Sequence, residues 1–258
     1  MSDDTPQKGY RTAPVVRLAS VDSTNAEAMR RAVAGERGPV WIMADAQSSG
    51  RGRAGRTWSS GAGNLMASLL VTLEAPMAEA YQLALVAGVA AFDAIAEAMP
   101  AMPPGLRLKW PNDILIGGAK AGGILIESTT IGHDAGEKRG FSAVVGIGIN
   151  VSSSPGALDR PATHLAAHES VPAPEVLIGF VAEAAARWLA VWDEGRGFAA
   201  VREAWLTRAH PIGERMSVNA GSGRVSGAFL GLDTDGALLL HTDQGSRRFT
   251  FGDVCLEQ

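Results

Sequence analysis

The sequence predicts an α+β fold: a mixed β-sheet with packed helices over residues 14–209, then a small all-β domain over 210–258. Three observations predict it. Two long segments, 78–99 and 175–193, carry apolar residues along one stripe at helical spacing. Short apolar or alternating runs of strand length lie before and between them, bounded by Gly, Pro and Asn. From His210 onward only short strands and turns remain, and about fifty residues of this kind suggest a small β-barrel.

Composition narrows the function classes. The chain has 258 residues, with 46% hydrophobic and 19% charged, which is ordinary for a globular protein. Its net charge of −4 argues against a general nucleic-acid binder, which usually carries a basic excess. The only cysteine, Cys255, excludes disulfides and Cys-based metal sites within one chain. The polar, acidic start Met1-Ser-Asp-Asp-Thr-Pro does not resemble a signal peptide. Gly or charge interrupts every apolar stretch short of a membrane span, so a cytoplasmic protein with no membrane partner is the default expectation.

In chain order, residues 1–13 are polar and expected to be disordered. Pro14–Leu18 suits a short strand. Thr24 followed by Glu27 fits a capping box, which starts a helix near Asn25 that Gly35 ends. Val40–Ala44 reads as a buried strand, Gly61-Ala-Gly-Asn64 as a turn, and Leu65–Leu73 as a strand whose even and odd residues take opposite faces. Alanine-rich Ala78–Met99 is the clearest helix, and Met99-Pro-Ala-Met-Pro-Pro-Gly105 breaks it. Leu106–Trp110 is a strand stopped by Pro111. Ile114–Ile116 and Ile124–Glu127 form a hairpin about Gly117-Gly118. Gly132–Gly140 is a polar loop, Phe141–Val151 a strand, and Ser152–Arg160 loose. Helices follow at Glu175–Asp193 and Phe198–Ala209. The terminal strands are Arg215–Val218, Arg224–Leu232, Ala237–Leu240, Arg247–Thr250 and Val254–Glu257.

The stretch Gly50-Arg-Gly-Arg-Ala-Gly-Arg-Thr-Trp58 concentrates three arginines on a glycine-rich backbone. Glycine lets main-chain N–H groups approach a ligand, and arginine offers a fork of donors for phosphate or carboxylate. The loop suits an anion, and it is expected to be disordered without one, because its like charges repel. It also matches G-x-G-x-x-G. That fingerprint needs a helix directly after the glycines, and turn residues follow instead. Lys109-Trp-Pro-Asn-Asp113 places an amide and a carboxylate at a strand end. Spacing alone leaves two readings, a plain turn or an Mg²⁺ anchor completed by phosphates. Lys120-Ala-Gly-Gly-Ile-Leu-Ile-Glu127 is a hairpin with either a solvated or a functional lysine. His164 and His168 lack the glutamate of a metalloprotease motif. Trp188, Trp192 and Trp205 read as helix core, and Arg224, Arg247 and Arg248 as solvent-facing.

Taken together and in this order, Asp22-Ser-Thr-Asn25, Gly50–Trp58, Lys109–Asp113, Lys120–Glu127 and Gly146-Ile-Gly-Ile-Asn150 resemble the biotin protein ligases. The resemblance runs from about Val16 to Asn150, and the last fifty or so residues look like that family's SH3-like domain. It implies a catalytic domain of the class II aminoacyl-tRNA synthetase-like type. It also implies a two-step reaction with biotin, ATP and Mg²⁺. Biotin is activated to biotinyl-5′-adenylate and then passed to a lysine of a biotin carboxyl carrier protein. By the same resemblance Ser23, Thr24, Asn25 and Gln47 hold the biotin ring. Gly50, Arg51, Arg53, Lys120, Gly123 and Gly148 surround its tail, with Arg51, Arg53 and Lys120 as the catalytic groups. Arg56, Trp58, Asn112 and Asn150 join Arg53 and Lys120 at the nucleotide, and Asp113 is the metal candidate.

The tail before Val16 is too short for the three-helix DNA-binding module of some relatives, so no sequence-specific DNA partner is expected. A monomer and a dimer paired through sheet edges both remain open. A lipoate or octanoyl ligase is the near alternative, and an RNA-binding Arg-Gly module the distant one.

Overall fold

The computed structural model describes residues 12–59, 61–130, 140–156, 160–221 and 223–257. Of residues 1–13, expected to be disordered, 1–11 lie outside the described residues, as do most of the 132–140 loop and residues 157–159 of the loose tract, whereas Ala13 is buried in the core. A seven-stranded sheet contains β1 (Val15–Leu18), β2 (Val40–Ala44), β3 (Leu65–Leu73), β4 (Leu106–Lys109), β5 (Asp113–Ile116), β6 (Ala119–Thr130) and β7 (Phe141–Ile149). Its order is β1-β2-β3-β7-β6-β5-β4. Only β1 and β2 pair in parallel, so the sheet is mixed, as expected.

The two faces of the sheet differ because strand side chains alternate. Leu65, Ala67, Leu69, Val71 and Leu73 of β3 join Phe141, Ala143, Val145, Ile147 and Ile149 of β7 in one core. That core packs against α2 (Gln82–Ala98), α3 (Pro174–Trp192) and α4 (Phe198–Arg208). On the other face Leu70 and Val144 meet Ala28 and Ala32 of α1 (Thr24–Val33). Helix α1 covers only part of this face. Ser68 lies opposite Gly146 and Met66 opposite Gly148, so the uncovered part is floored by glycine.

Several boundaries differ from expectation, and three of them are instructive. Helix α1 begins one residue early, with Ser23 as its cap, because the Thr24 hydroxyl faces Gln47 and Ser68 instead. Helix α2 begins at Gln82, after a separate 3₁₀ turn at Met77–Glu79. Strand β6 begins at Ala119, not Ile124, with a register shift opposite Ile114 and Leu115. Gly122 stays in the strand because a side chain there would meet the Gly148 carbonyl at 2.9 Å.

The terminal unit is an antiparallel sheet of β8 (Arg215–Asn219), β9 (Arg224–Leu232), β10 (Leu238–Thr242), β11 (Gly245–Phe249) and β12 (Asp253–Leu256). The order β11-β10-β9-β8-β12 leaves its end strands unpaired with each other, so the sheet is not a hydrogen-bonded closed barrel. Its core residues Phe229, Leu238 and Val254 are continuous with the main core. Polar ties reinforce that seam: Trp110 Nε1 donates to Gly236 O at 3.0 Å, and Lys109 Nζ to Val254 O at 3.0 Å. Among the described residues, no helix is long and apolar enough to cross a membrane.

Candidate active site

A cavity of about 350 Å³ opens on the face that α1 leaves uncovered. Its floor comes from β3, β6 and β7, through Met66, Ala67, Ile124, Leu125 and Ile147. Two glycines make the room. A side chain at Gly146 would strike Asn25 Oδ1 at 2.2 Å, and one at Gly148 would strike the Trp58 indole at 2.6 Å. Volume and lining suit a ligand of cofactor size with a few polar anchors.

One end of the cavity is a neutral polar cluster. Gln47 Oε1 accepts from Thr24 N at 2.7 Å and from the Thr24 hydroxyl at 3.1 Å. Ser68 Oγ lies 2.8 Å from Thr24 Oγ1 and 2.6 Å from Asn25 Oδ1, so its single proton is shared between two acceptors. Ser23, Thr24, Asn25 and Gln47 all line the cavity. Helix α1 fixes three of them, and its start is held by Asp22, which accepts from Ser23 N and from Arg30. Those two contacts hold the Asp22 carboxyl well below the usual carboxylate range.

The other end is cationic. The 50–58 stretch is an arch: Trp58 N donates to Gly50 O at 2.9 Å, Gly52 N to Arg56 O at 2.7 Å, and Arg53–Gly55 form a 3₁₀ turn at the tip. Ala54 takes a left-handed φ of 54° there. Arg51 donates to Glu127 at 3.0 Å, and Arg56 to Asp253 at 2.7 Å. Arg53 points inward, to Asn112 Oδ1 at 3.0 Å and Gly252 O at 3.5 Å. Burial pushes its pKa down from the ordinary guanidinium value, while Asp253 and Asp113 oppose that. The arch is held by these contacts within the protein. The like charges do not face one another unscreened, because each has its own partner.

Beside the arch, β4 and β5 carry Lys109 and Asp113, and β6 carries Lys120. Asp113 is buried between both lysines, with Lys109 Nζ at 2.9 Å from Oδ2 and Lys120 Nζ at 2.5 Å from Oδ1. Burial works to raise the Asp113 pKa, but the two ammonium groups outweigh it and hold it below the ordinary value. Lys120 also lies 5.7 Å from the centre of the Trp58 ring. Asn112 donates to Ile124 O at 2.7 Å, and Asn150 to Thr163 O at 3.0 Å.

Asp113, the metal candidate, is engaged here as a counter-ion: each of its oxygens accepts from a lysine. No group of three or more His, Cys, Asp or Glu among the described residues could hold a metal ion. Gly50 does not line the cavity; its carbonyl closes the base of the arch. Every other residue named for the site does line it.

Sequence reading missed four contributors. Asn64 Oδ1 accepts from the N–H groups of Val151, Ser152 and Ser153 at 2.9, 3.0 and 3.2 Å, which shapes the loop after Asn150. Arg160 lines the cavity and makes no salt bridge with a described residue. A pairing of Lys120 with Ala162 brings it there. Asp253 and Glu127 partner the arch from distant strands. Elsewhere, Trp192 and Trp205 are core, while Trp188 donates to Asp93. Arg224 and Arg248 pair with Glu257 and Asp233 on the surface, and Arg247 stacks over Phe249. His164 and His168 contact Ser154 and Thr163.

The layout of a neutral recognition end, a cationic end and a floor of paired glycines agrees with what comparison finds. The model of the biotin/lipoate A/B protein ligase family matches residues 17–150, and that of the biotin protein ligase C-terminal domain matches residues 212–256. A biotin–[acetyl-CoA-carboxylase] ligase of Paracoccus denitrificans is 40% identical over 245 residues, covering 92% of this chain and 98% of that protein. The chain belongs to the biotin protein ligase family. The bifunctional ligase/repressor BirA of Bacillus subtilis is 35% identical over 220 residues, covering 83% of this chain and 65% of that protein. Among solved ligases, the Aquifex aeolicus enzyme in complex with biotin and ATP superposes with a TM-score of 0.77 at 26% identity, covering 95% of this chain and 99% of that one. The Leishmania major enzyme with biotinyl-5-AMP, at 23% identity and a TM-score of 0.62, supports the fold alone; it covers 92% of this chain and 98% of that one.

Proposed function

We propose that this ligase activates biotin with ATP and transfers it to a lysine of a biotin carboxyl carrier domain. One observation carries the reading. A single cavity joins a neutral donor–acceptor cluster, suited to a ureido ring, to a cationic end suited to a carboxylate and a phosphate meeting. The biotin ring lies at Ser23, Thr24, Asn25 and Gln47, and its tail runs over Gly123 and Gly148 towards Lys120 and Arg53. Trp58, Asn112, Asn150 and Arg160 border the nucleotide.

No protein nucleophile is required. The biotin carboxylate attacks the α-phosphorus of ATP, and pyrophosphate leaves. The carrier lysine amine then attacks the acyl carbon of the mixed anhydride, and AMP leaves. Arg53 and Lys120 place two anions together and offset the charge that grows on the α-phosphate oxygens. Asp113 keeps the Lys120 ammonium aimed at the cavity. Trp58, seated on Gly148, shields the anhydride from water. Bound magnesium would supply positive charge against the nucleotide phosphates, with Asn112 and Asp113 the residues beside it; in this structure Asp113 accepts from Lys109 and Lys120.

Biotin-dependent exchange of labelled pyrophosphate into ATP tests the first step, and biotin transfer to a carrier domain tests the second. Exchange with lipoate or octanoate but not biotin would move the assignment to the alternative branch of the family.

A further inference from the structure

The three arginines of the arch do not share one task. Arg51 and Arg56 are about half exposed, and each makes an ion pair with a carboxylate outside the arch. Arg53, at the tip between them, makes no salt bridge with a described residue and turns into the cavity. The two ion pairs reach different strands. Arg51 is tied to Glu127 on β6, and Arg56 to Asp253 at the start of β12 in the terminal sheet. We propose that Glu127 and Asp253 are positioning residues that clasp the arch at both ends, so that Arg53 is the one arginine of the arch presented to the reacting phosphate.

Three further observations support the clasp. The Glu127 oxygen that accepts from Arg51 also accepts from Asn25 Nδ2 at 2.8 Å. That one oxygen links the ring-binding cluster to the arch, yet Glu127 does not itself line the cavity. At the tip Ala54 holds a left-handed backbone, which costs a non-glycine residue energy and persists only where the surroundings fix it. At the far end Arg53 touches Gly252 O, beside Asp253, so the same turn of the terminal sheet holds both arginines. Asp253 is placed to do this electrostatically. Burial works to raise its pKa, but Arg56, Arg160 and Arg53 hold it below the ordinary value, so it is ionised at neutral pH.

The clasp rests on the proposed ligase reaction, but one arm of its test does not. Glu127→Gln keeps an acceptor for Asn25 and removes the charge; Asp253→Asn does the same for Arg56. In the ligand-free protein each variant should be cut faster within 50–58 by thermolysin. In pyrophosphate exchange each should raise KM for ATP by about fivefold, the equivalent of ~1 kcal/mol, with kcat kept at saturation. Arg53→Ala should differ, lowering kcat strongly while raising the cleavage rate less than either carboxylate variant does. Reversing one pair, Arg56→Asp with Asp253→Arg, should restore protection and KM relative to either single reversal. Unchanged cleavage and KM in both single variants, or a double reversal no better than its parts, would overturn the clasp. Absence of biotin-dependent exchange in the unaltered enzyme would instead overturn the reaction, and the cleavage arm would still decide the clasp.

Discussion

Replacing Asp113 by Asn removes the negative charge between two lysines. The Asp113 and Lys109 side chains are 9% and 8% exposed, whereas Lys120 is 31% exposed. Breaking a buried ion pair by removing one partner costs about 3–5 kcal/mol, because the other charge stays buried and unpaired. Lys120 can relieve part of that by turning to solvent. Lys109 cannot, since it is enclosed and donates to Val254 O. The low end, about 3 kcal/mol, is therefore expected for Asp113→Asn at pH 7. The pH dependence follows from the lowered pKa of Asp113. A carboxyl with a folded pKa below its unfolded value, about 3.9, contributes stability that is complete above the unfolded value. That stability is lost as pH falls through the folded value. The difference between the two proteins should thus stay constant from about pH 5 to 8 and shrink only in more acidic solution. Urea titrations followed by tryptophan fluorescence at several pH values measure it. A difference under about 1 kcal/mol at pH 7 would mean that the lysines find other partners, and the counter-ion role would be wrong.

Further outcomes concern the reaction. Arg53→Ala and Lys120→Ala should each slow adenylate formation by about 2.7–4 kcal/mol in barrier, the cost of one lost donor to a growing oxyanion. Ser23→Ala should cost nearer ~1 kcal/mol, and a larger effect there would reverse the assignment of ends. Gly148→Ala brings a methyl group to 2.6 Å from the Trp58 ring, so Trp58 should be displaced. Its fluorescence should shift and KM for ATP rise, and an unchanged spectrum would contradict the seating. Arg160→Ala should raise KM for ATP and leave KM for biotin alone; equal rises in both would place Arg160 elsewhere in the path.

The elements were legible because apolar residues recur at strand and helix spacing. Even and odd residues of Leu65–Leu73 do separate onto two faces, and the alanine stripe of α2 does pack. Two of the failures near the site share a cause: a local pattern was overruled by a distant partner. Thr24 and Glu27 form a plausible capping box until Ser68, more than forty residues on, lies against the Thr24 hydroxyl. The glycines at 122 and 123 fell outside the expected strand Ile124–Glu127, yet they pair with β7, where Gly148 and Trp58 fill the space beside them. The site residues were legible as types, since arginine, lysine, amide and glycine name an anion site wherever they cluster. Their pairings were not. Arg51 meets Glu127 76 residues away, and Arg56 meets Asp253 197 residues away. No spacing rule encodes such contacts.

Those pairings explain how a site can carry so much positive charge and still fold. Among the described residues, five cations line the cavity: Arg51, Arg53, Arg56, Arg160 and Lys120. Unscreened, they would repel one another and splay the arch, as the sequence suggests. Asp113, Asp253 and Glu127 remove most of that repulsion without filling the cavity, because each lies at its edge or behind it. Arg53 and Arg160 are left without a carboxylate partner among the described residues. A bound polyphosphate would be met by these two cations, while Arg51, Arg56 and Lys120 each have a carboxylate partner. Ion pairs that order the arch beforehand reduce the loop ordering that must accompany binding. They also weaken the field that attracts the nucleotide, so the layout exchanges some affinity for placement. That exchange favours catalysis when the ligand is abundant and the geometry at the α-phosphate limits the rate.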